Sequence, residues 1–163
     1  MPISPNQMRR AMRQWASGIT LVTVAEGSLR HGMTVSSFAS VSLEPPYILV
    51  SLENTSRTNE LVGRINHFAV AILSEEQRSL SDQFAGRLGE DDDRFQGVDF
   101  FTTDLGNPIP EGCLAFMDCK VSASYELGTH TVFIGLVEES DVPSDGSPLL
   151  YYDQDYAKLH RPE

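Results

Sequence analysis

Cysteine is scarce in this chain: Cys113 and Cys119 are the two among 163 residues. Six positions apart on an extended segment, they share one face roughly 20 Å from each other, too far for a disulfide, and read as reduced core residues. No C-x-x-C occurs, and His31, His67, His130 and His160 are scattered without metal-ligand spacing, so no metal is expected. Positive charge is also thin, with Lys+Arg 12 against Asp+Glu 23 and a net charge of −11. Such a surface repels nucleic acid and anionic membranes. Neither G-x-G-x-x-G nor G-x-x-x-x-G-K-S/T is present, which removes the sequence marks of a Rossmann or P-loop site. No stretch approaches the roughly 20 apolar residues that span a bilayer, and MPISPNQMRRAMRQWASG lacks the apolar run of a secretory signal. A cytoplasmic protein is expected. No Ser/His/Asp, Cys/His or paired-carboxylate arrangement stands out, which counts against a hydrolase. With no repeat, low-complexity tract or linker, residues 1–163 are expected to form one domain.

What the chain does have is the run GMTVSSFASVSLEPPYILVSL at 32–52, a strand, a proline turn and a second strand. Side chains alternate along a strand, so Thr34, Ser36, Phe38, Ser40 and Ser42 share one side, and Val35, Ser37, Ala39, Val41 and Leu43 the other. The first side offers uncharged donors and acceptors around one ring, which suits a flat ligand with polar edges; plain solvent exposure is the alternative. ENTSRT at 53–58 then leads into the helical run NELVGRI. A helix start presents unpaired N–H groups and a positive dipole end, and hydroxyls with Arg57 beside it make a phosphate-sized anion site. Capping by Thr55, Ser56 or Thr58 is the competing use of the same residues. Strand and helix start lie one strand length apart, about the span from ring to phosphate in a mononucleotide.

The remaining pattern is mainly β. Met8, Ala11, Met12, Trp15 and Ala16 follow a helical period that Gly18 stops. Strands are expected at 19–24, 68–73, 113–125 and 131–137, with a last short one at 149–152. A second helix is expected at about 58–65, and a third after the Ser-x-x-Gln box at 74–77, with Leu80, Phe84 and Leu88 on its apolar side and Gly86 or Gly89 at its end. The run EDDD at 90–93 reads as solvated surface, and 94–112 as irregular. Strands without strict helix alternation favour a closed or half-closed antiparallel barrel with short helices outside.

Five blocks, GMTVSSFASVSLEPPYILVSL, NTSRT, FAVAILSEEQRSLSDQFAG, THTVFIGLV and SPLLYYDQDYAKL, resemble in order the short-chain flavin reductases, the reductase components of two-component flavin monooxygenases. The likeness covers roughly residues 12–159. It implies an FMN-binding antiparallel split β-barrel of Greek-key type with flanking short helices, and hydride transfer from NADH to FMN. FAD in place of FMN, and NADPH in place of NADH, stay open. It further implies a homodimer with flavin near the subunit boundary, and a flavin-dependent monooxygenase as partner. The alternatives are a tight FMN oxidoreductase acting on its own small substrate, and a noncatalytic flavin-binding module.

By the same resemblance, Thr34, Val35, Ser36, Ser37 and Phe38 line the isoalloxazine with Ser40 and Val41 close by. Ser51, Leu52 and Glu53 contact the ribityl side, and Ser56, Arg57 and Thr58 the phosphate. Phe84 closes over the flavin, or is helix core. His130, on a strand turn, meets the nicotinamide by hydrogen bonding or stacking. Tyr152 and Tyr156 either stack on the dinucleotide or pack the tail. Two departures stand out: many relatives carry arginines where this chain has Asp153 and Asp155, and the family's Gly-Asp-His is Gly128-Thr129-His130 here. Lost positive charge at the tail disfavours the extra phosphate of NADPH, so NADH is the expected donor.

Overall fold

Ser4 and Gln7 start the first helix. In the computed structural model, which describes residues 1–86 and 92–163, the Gln7 N–H donates to Ser4 Oγ at 3.2 Å and the Ser4 N–H to Gln7 Oε1 at 2.9 Å. With Pro5 at its first position, α1 covers Pro5–Met12. It ends before Trp15 and Ala16, contrary to the helical period, because β1 (Ser17–Gly18) draws the backbone into a ladder with β11 (Leu150–Tyr152). Between them come β2 (Thr20–Glu26), β3 (Leu29–Val35), β4 (Phe38–Leu43), β5 (Pro46–Glu53), α2 (Arg57–Ile65) and β6 (His67–Ile72). A 3-10 turn at Glu75–Gln77, α3 (Arg78–Phe84), β7 (Phe100–Thr102), β8 (Pro108–Pro110), β9 (Ala115–Leu127) and β10 (His130–Asp141) follow. After β11 the chain closes on β12 (Asp155–Ala157). The short ladder of β7 and β8 replaces the irregular stretch read at 94–112. Leu88, Gly89, Glu90 and Asp91 lie outside the described residues.

The main sheet runs β3-β2-β6-β9-β10-β5-β4, antiparallel throughout. Its two edge strands are consecutive in the chain. Only Ser36 and Ser37 separate β3 from β4, and three Cα steps of about 3.8 Å cannot cross a flat seven-stranded sheet, so the sheet curls until its edges meet. This is an antiparallel barrel split at one seam. It also corrects the reading of 32–43 as one strand with two faces: the chain changes edge at Ser36–Ser37, so the alternation does not carry across. There the Ser51 N–H donates to Ser37 O at 3.0 Å and Ser37 Oγ donates to Ser51 O at 2.6 Å, fastening the crossing to β5.

Two apolar cores result. Inside the curl, Val22, Val24, Val50, Leu52, Phe68, Val70 and Phe133 pack around Leu61 and Val62 of α2. On the outer face Leu21, Ala69, Ala71 and Leu73 meet Phe84, Phe95, Ile109, Phe116 and Leu149. Strand β2 feeds both cores, hence its unbroken burial from Thr20 to Ala25. The cysteines are divided as well. Cys119 of β9 belongs to the inner core and Cys113 precedes β9 in the outer one, so they do not share a face as expected, and both are buried free thiols. Burial pushes Cys113 up to about 11 and Cys119 to about 12, the latter with help from the Asp118 and Glu138 charges. Among the described residues no helix is long and apolar enough to cross a membrane.

Candidate functional site

A cleft of about 530 Å³ opens where β3 approaches its seam, between the start of α2, helix α3 and the β11–β12 hairpin. Glycine sets its floor. A Cβ on Gly32 would stand 3.0 Å from Val22 O and 3.2 Å from the Phe84 ring, so only glycine lets α3 seat its phenylalanine directly on β3. Phe84 then meets Phe95 edge-on at 4.9 Å. Buried Arg94 ties the same corner, donating from Nη1 to Gly32 O at 3.0 Å and Phe84 O at 3.3 Å. Thr34 Oγ1 donates to Ser81 O at 2.7 Å and fixes the α3 wall.

The opposite wall is the hairpin. Tyr156 O–H donates to Asp82 Oδ1 at 2.9 Å, so the Ser81 hydroxyl 2.8 Å away is left to donate to the phenol oxygen. Burial lifts the Tyr156 phenol above its ordinary 10.0; the Ser81 hydrogen bond pulls it down, and the Asp82 carboxylate pushes it up again. Arg78 lies over the Tyr156 ring at 4.8 Å, with Asp155 at 3.8 Å. At the third side Ser56 caps α2, accepting from the Asn59 N–H at 3.1 Å and donating to Glu53 O at 2.8 Å, with Glu53 and Thr55 beside it. A second hollow of about 590 Å³ adjoins the cleft through Ser36, Tyr151 and Gln154 and extends under α1.

The expected residues divide among these places. Thr34, Ser36, Glu53, Ser56 and Tyr156 line the cleft, and Phe84 underlies it with no exposed surface. Ser36 is shared with the second hollow, where Ser37, Phe38 and Ser51 stand. Val35 and Leu52 turn into the inner core. Ser40 and Val41 lie farther along β4, exposed and outside both spaces. Thr58 is fully buried, its hydroxyl 2.8 Å from His31 Nδ1. Arg57 is not brought to the cleft; one residue past the cap, it turns outward, pairs with Glu60 at 3.0 Å and lines a separate hollow with Arg30 and His31. His130 lines neither space; it stands opposite the cleft residue Glu53 in the β5–β10 register, with Nδ1 2.9 Å from Thr129 Oγ1. Tyr152 is exposed outside both spaces, while its neighbour Tyr151 lines both.

That last exchange is a register effect, since adjacent strand residues face opposite sides. Sequence reasoning also passed over Arg78, Ser81, Asp82 and Gln154. The block SDQFA contained two of them, but only the folded contact with Tyr156 gives Ser81 and Asp82 their place.

A model of the flavin reductase like domain matches residues 12–160. The chain belongs to this flavin reductase-like family. It is 36% identical over 159 residues to the reductase subunit HsaB of a flavin-dependent monooxygenase from Mycobacterium tuberculosis, covering 96% of this chain and 83% of that protein. An NADH-dependent flavin reductase from a Rhodococcus species is 36% identical over 160 residues, with 96% and 88% covered. Among solved structures, the styrene monooxygenase flavin reductase of Pseudomonas putida superposes with a TM-score of 0.84 at 33% identity over 96% of this chain and 99% of that one.

The cleft of this flavin reductase-like protein fits a flavin on its own terms. Its volume lies in the usual range of small-molecule sites, about 300–1,000 Å³, its floor is aromatic, and a nine-residue helix begins at its edge. A bound flavin supplies the hydride-accepting ring and a nicotinamide the donor, so the chain's task is holding and orienting. Thr34 lines the space with its hydroxyl committed to Ser81 O, while Ser36 lies exposed at the seam. Among the described residues no group of three or more His, Cys, Asp or Glu is placed to hold a metal ion.

Proposed function

We propose that this protein is an NADH-dependent FMN reductase that supplies reduced flavin to a flavin-dependent monooxygenase. The observation that carries the reading is the cleft at the barrel seam, in a chain that matches the flavin reductase-like domain over residues 12–160. The ring lies against Thr34 and Ser36, and the phosphate at the start of α2 beside Thr55 and Ser56. His130 and Tyr156 flank the nicotinamide. Arg78 and Arg94, not Arg57, are the cleft's arginines among the described residues. The whole of 1–163 acts as one unit in the cytoplasm.

Donor choice follows from the tail. Asp155 lines the cleft 3.8 Å from Arg78, and Asp153 lines the adjoining hollow with Arg9 and Arg13, so these carboxylates offset the arginines that would otherwise pair with the additional phosphate of NADPH. A homodimer is the working form. Val41 and Leu43 on edge strand β4, with Tyr125 and Leu127 on the β9–β10 hairpin, are exposed apolar side chains that a second copy covers. Light scattering on a sizing column reads that mass directly.

The deciding experiment follows NADH oxidation by the purified protein with and without added FMN. Turnover that rises with added FMN supports the proposal. A stoichiometric yellow protein that stays inactive until a third substrate is added replaces it with a dedicated FMN oxidoreductase, and absence of turnover with every acceptor leaves a flavin-binding module. Comparable kcat/KM for NADH and NADPH removes the donor preference.

A further inference from the structure

The tip of the β9–β10 hairpin is held by hydrogen bonds and not by packing. Every residue from Ser124 to His130 is exposed, and the two-residue turn Gly128–Thr129 delivers His130 as the first residue of β10. Asn54, the first residue past β5, is the fastener. Its N–H donates to Thr129 O at 2.9 Å, its Nδ2 donates to Gly128 O at 3.2 Å, and its Oδ1 accepts from Thr131 Oγ1 at 2.8 Å. One residue thus grips three of the four positions 128–131, and the fourth is His130.

Register puts the clamp and the histidine on opposite faces. Residues paired across a ladder project to the same side, so His130 shares the side of its partner Glu53, which lines the cleft. Thr131 pairs with Leu52 of the inner core and belongs to the other side. Asn54 itself does not line the cleft, although Glu53 before it and Thr55 and Ser56 after it do. The Ser56 N–H and Oγ both donate to Glu53 O, at 3.0 and 2.8 Å, and close residues 53–56 into a tight turn. The Thr129 hydroxyl, 2.9 Å from His130 Nδ1, orients the ring from the side of the turn.

We propose that Asn54 is a positioning residue for hydride transfer, clamping the turn that carries His130 to the segment that carries the flavin-phosphate anchor, an inference that rests on the function proposed above. The donor's contact at His130 and the acceptor's anchor at Thr55 and Ser56 are then spaced by a single residue. Such spacing matters because a misplacement of about 1 Å can cost about a hundredfold in rate. Without the amide, only the ladder holds the exposed tip, and His130 spends less time against the nicotinamide. The Ser56 cap does not depend on the amide, so flavin binding is untouched.

Steady-state kinetics of the full chain at saturating FMN read the effect. Asn54→Ala keeps the backbone bond to Thr129 and loses both side-chain bonds, so the KM for NADH should rise about fivefold while kcat and the Kd for FMN stay within about twofold of the parent. Thr131→Val removes one of those two bonds and should give a smaller rise in the same direction. Thr131→Ser keeps the hydroxyl and should restore the parent KM; this pair carries the test where the alanine variant fails to fold. In a His130→Ala background Asn54→Ala should add nothing, because no ring is left to place. A KM rise of equal size in both backgrounds, an unchanged KM in Asn54→Ala and Thr131→Val, or an FMN Kd that weakens in step with the KM overturns the proposal. The two levels fail separately: a parent that turns over with added FMN but whose KM ignores both His130→Ala and Asn54→Ala loses this inference alone, whereas a parent without FMN-dependent turnover loses the proposed function first.

Discussion

Arg78 and Arg57 offer a direct contrast between two arginines of which the sequence singled out only one. Arg78 lines the cleft with its guanidinium over Tyr156, whereas Arg57 pairs with Glu60 on the far side of the α2 start. With Tyr156 beside the nicotinamide and the phosphate at the α2 start, Arg78→Ala should therefore raise the KM for NADH several-fold and leave the affinities for FMN and riboflavin unchanged, while Arg57→Ala should change none of these. Steady-state kinetics and equilibrium titration of both flavins with both variants check this. Spacing pointed to Arg57 because it adjoins Ser56, but each helical residue advances by about 100°, so neighbours on a helix rarely share a target. Tyr152 and Tyr151 repeat the lesson on a strand. The thiols are a second test at this scale: with pKa values raised to about 11 and about 12, Cys113 and Cys119 should not react with a disulfide reagent at pH 8 until the protein unfolds, when both should. Asp93 offers a third. The Arg30 hydrogen bond holds its carboxyl below the ordinary 3.8, so this contribution is present above that value and is lost as pH falls through the lowered folded-state pKa. Asp93→Asn should flatten the acid limb of a Tm-against-pH curve.

At the level of elements, the strand inventory was legible because alternating or continuous apolar runs bounded by Gly and Pro mark β2, β5, β6, β9 and β10. The split of 32–43 into two edge strands was not. Nothing local distinguishes Ser36 and Ser37 from the hydroxyls around them; the break exists because β2 and β5 claim different partners. Close approach between strands is equally silent in sequence. Gly135 of β10 sits where a Cβ would be 2.8 Å from both Cys119 Cβ and Phe68 Cζ. Gly135→Ala should cost about 1–3 kcal/mol by overpacking, seen as a lowered urea midpoint with an unchanged slope. The strap carrying β8 is held by buried Asn107, whose Oδ1 accepts from the Ala25 N–H at 3.1 Å and whose Nδ2 donates to buried Asp118 at 2.7 Å. This polar fastening had no spacing signature to reveal it.

For the whole molecule, net charge and site charge pull apart. A chain of −11 repels anionic nucleotides at a distance, yet the cleft and the space under α1 carry arginines. Raising ionic strength from about 0.01 to 0.15 M shortens the screening length from about 30 to 8 Å, so distant acidic groups fade before local contacts do. The association rate of NADH should therefore rise with salt over that range in stopped-flow traces; a fall would mean that the local arginines govern the encounter. Composition had made this repulsion plain, but the basic counterweight needed the folded position of α1. The seam has a temporal consequence too. Every strand of the main sheet is complete by Asp141, whereas Tyr151, Gln154 and Tyr156 follow it in the chain. During synthesis the barrel can set while its vestibule is still three-sided, so a nascent chain stalled shortly after β10 would be folded in its core and unable to retain cofactor.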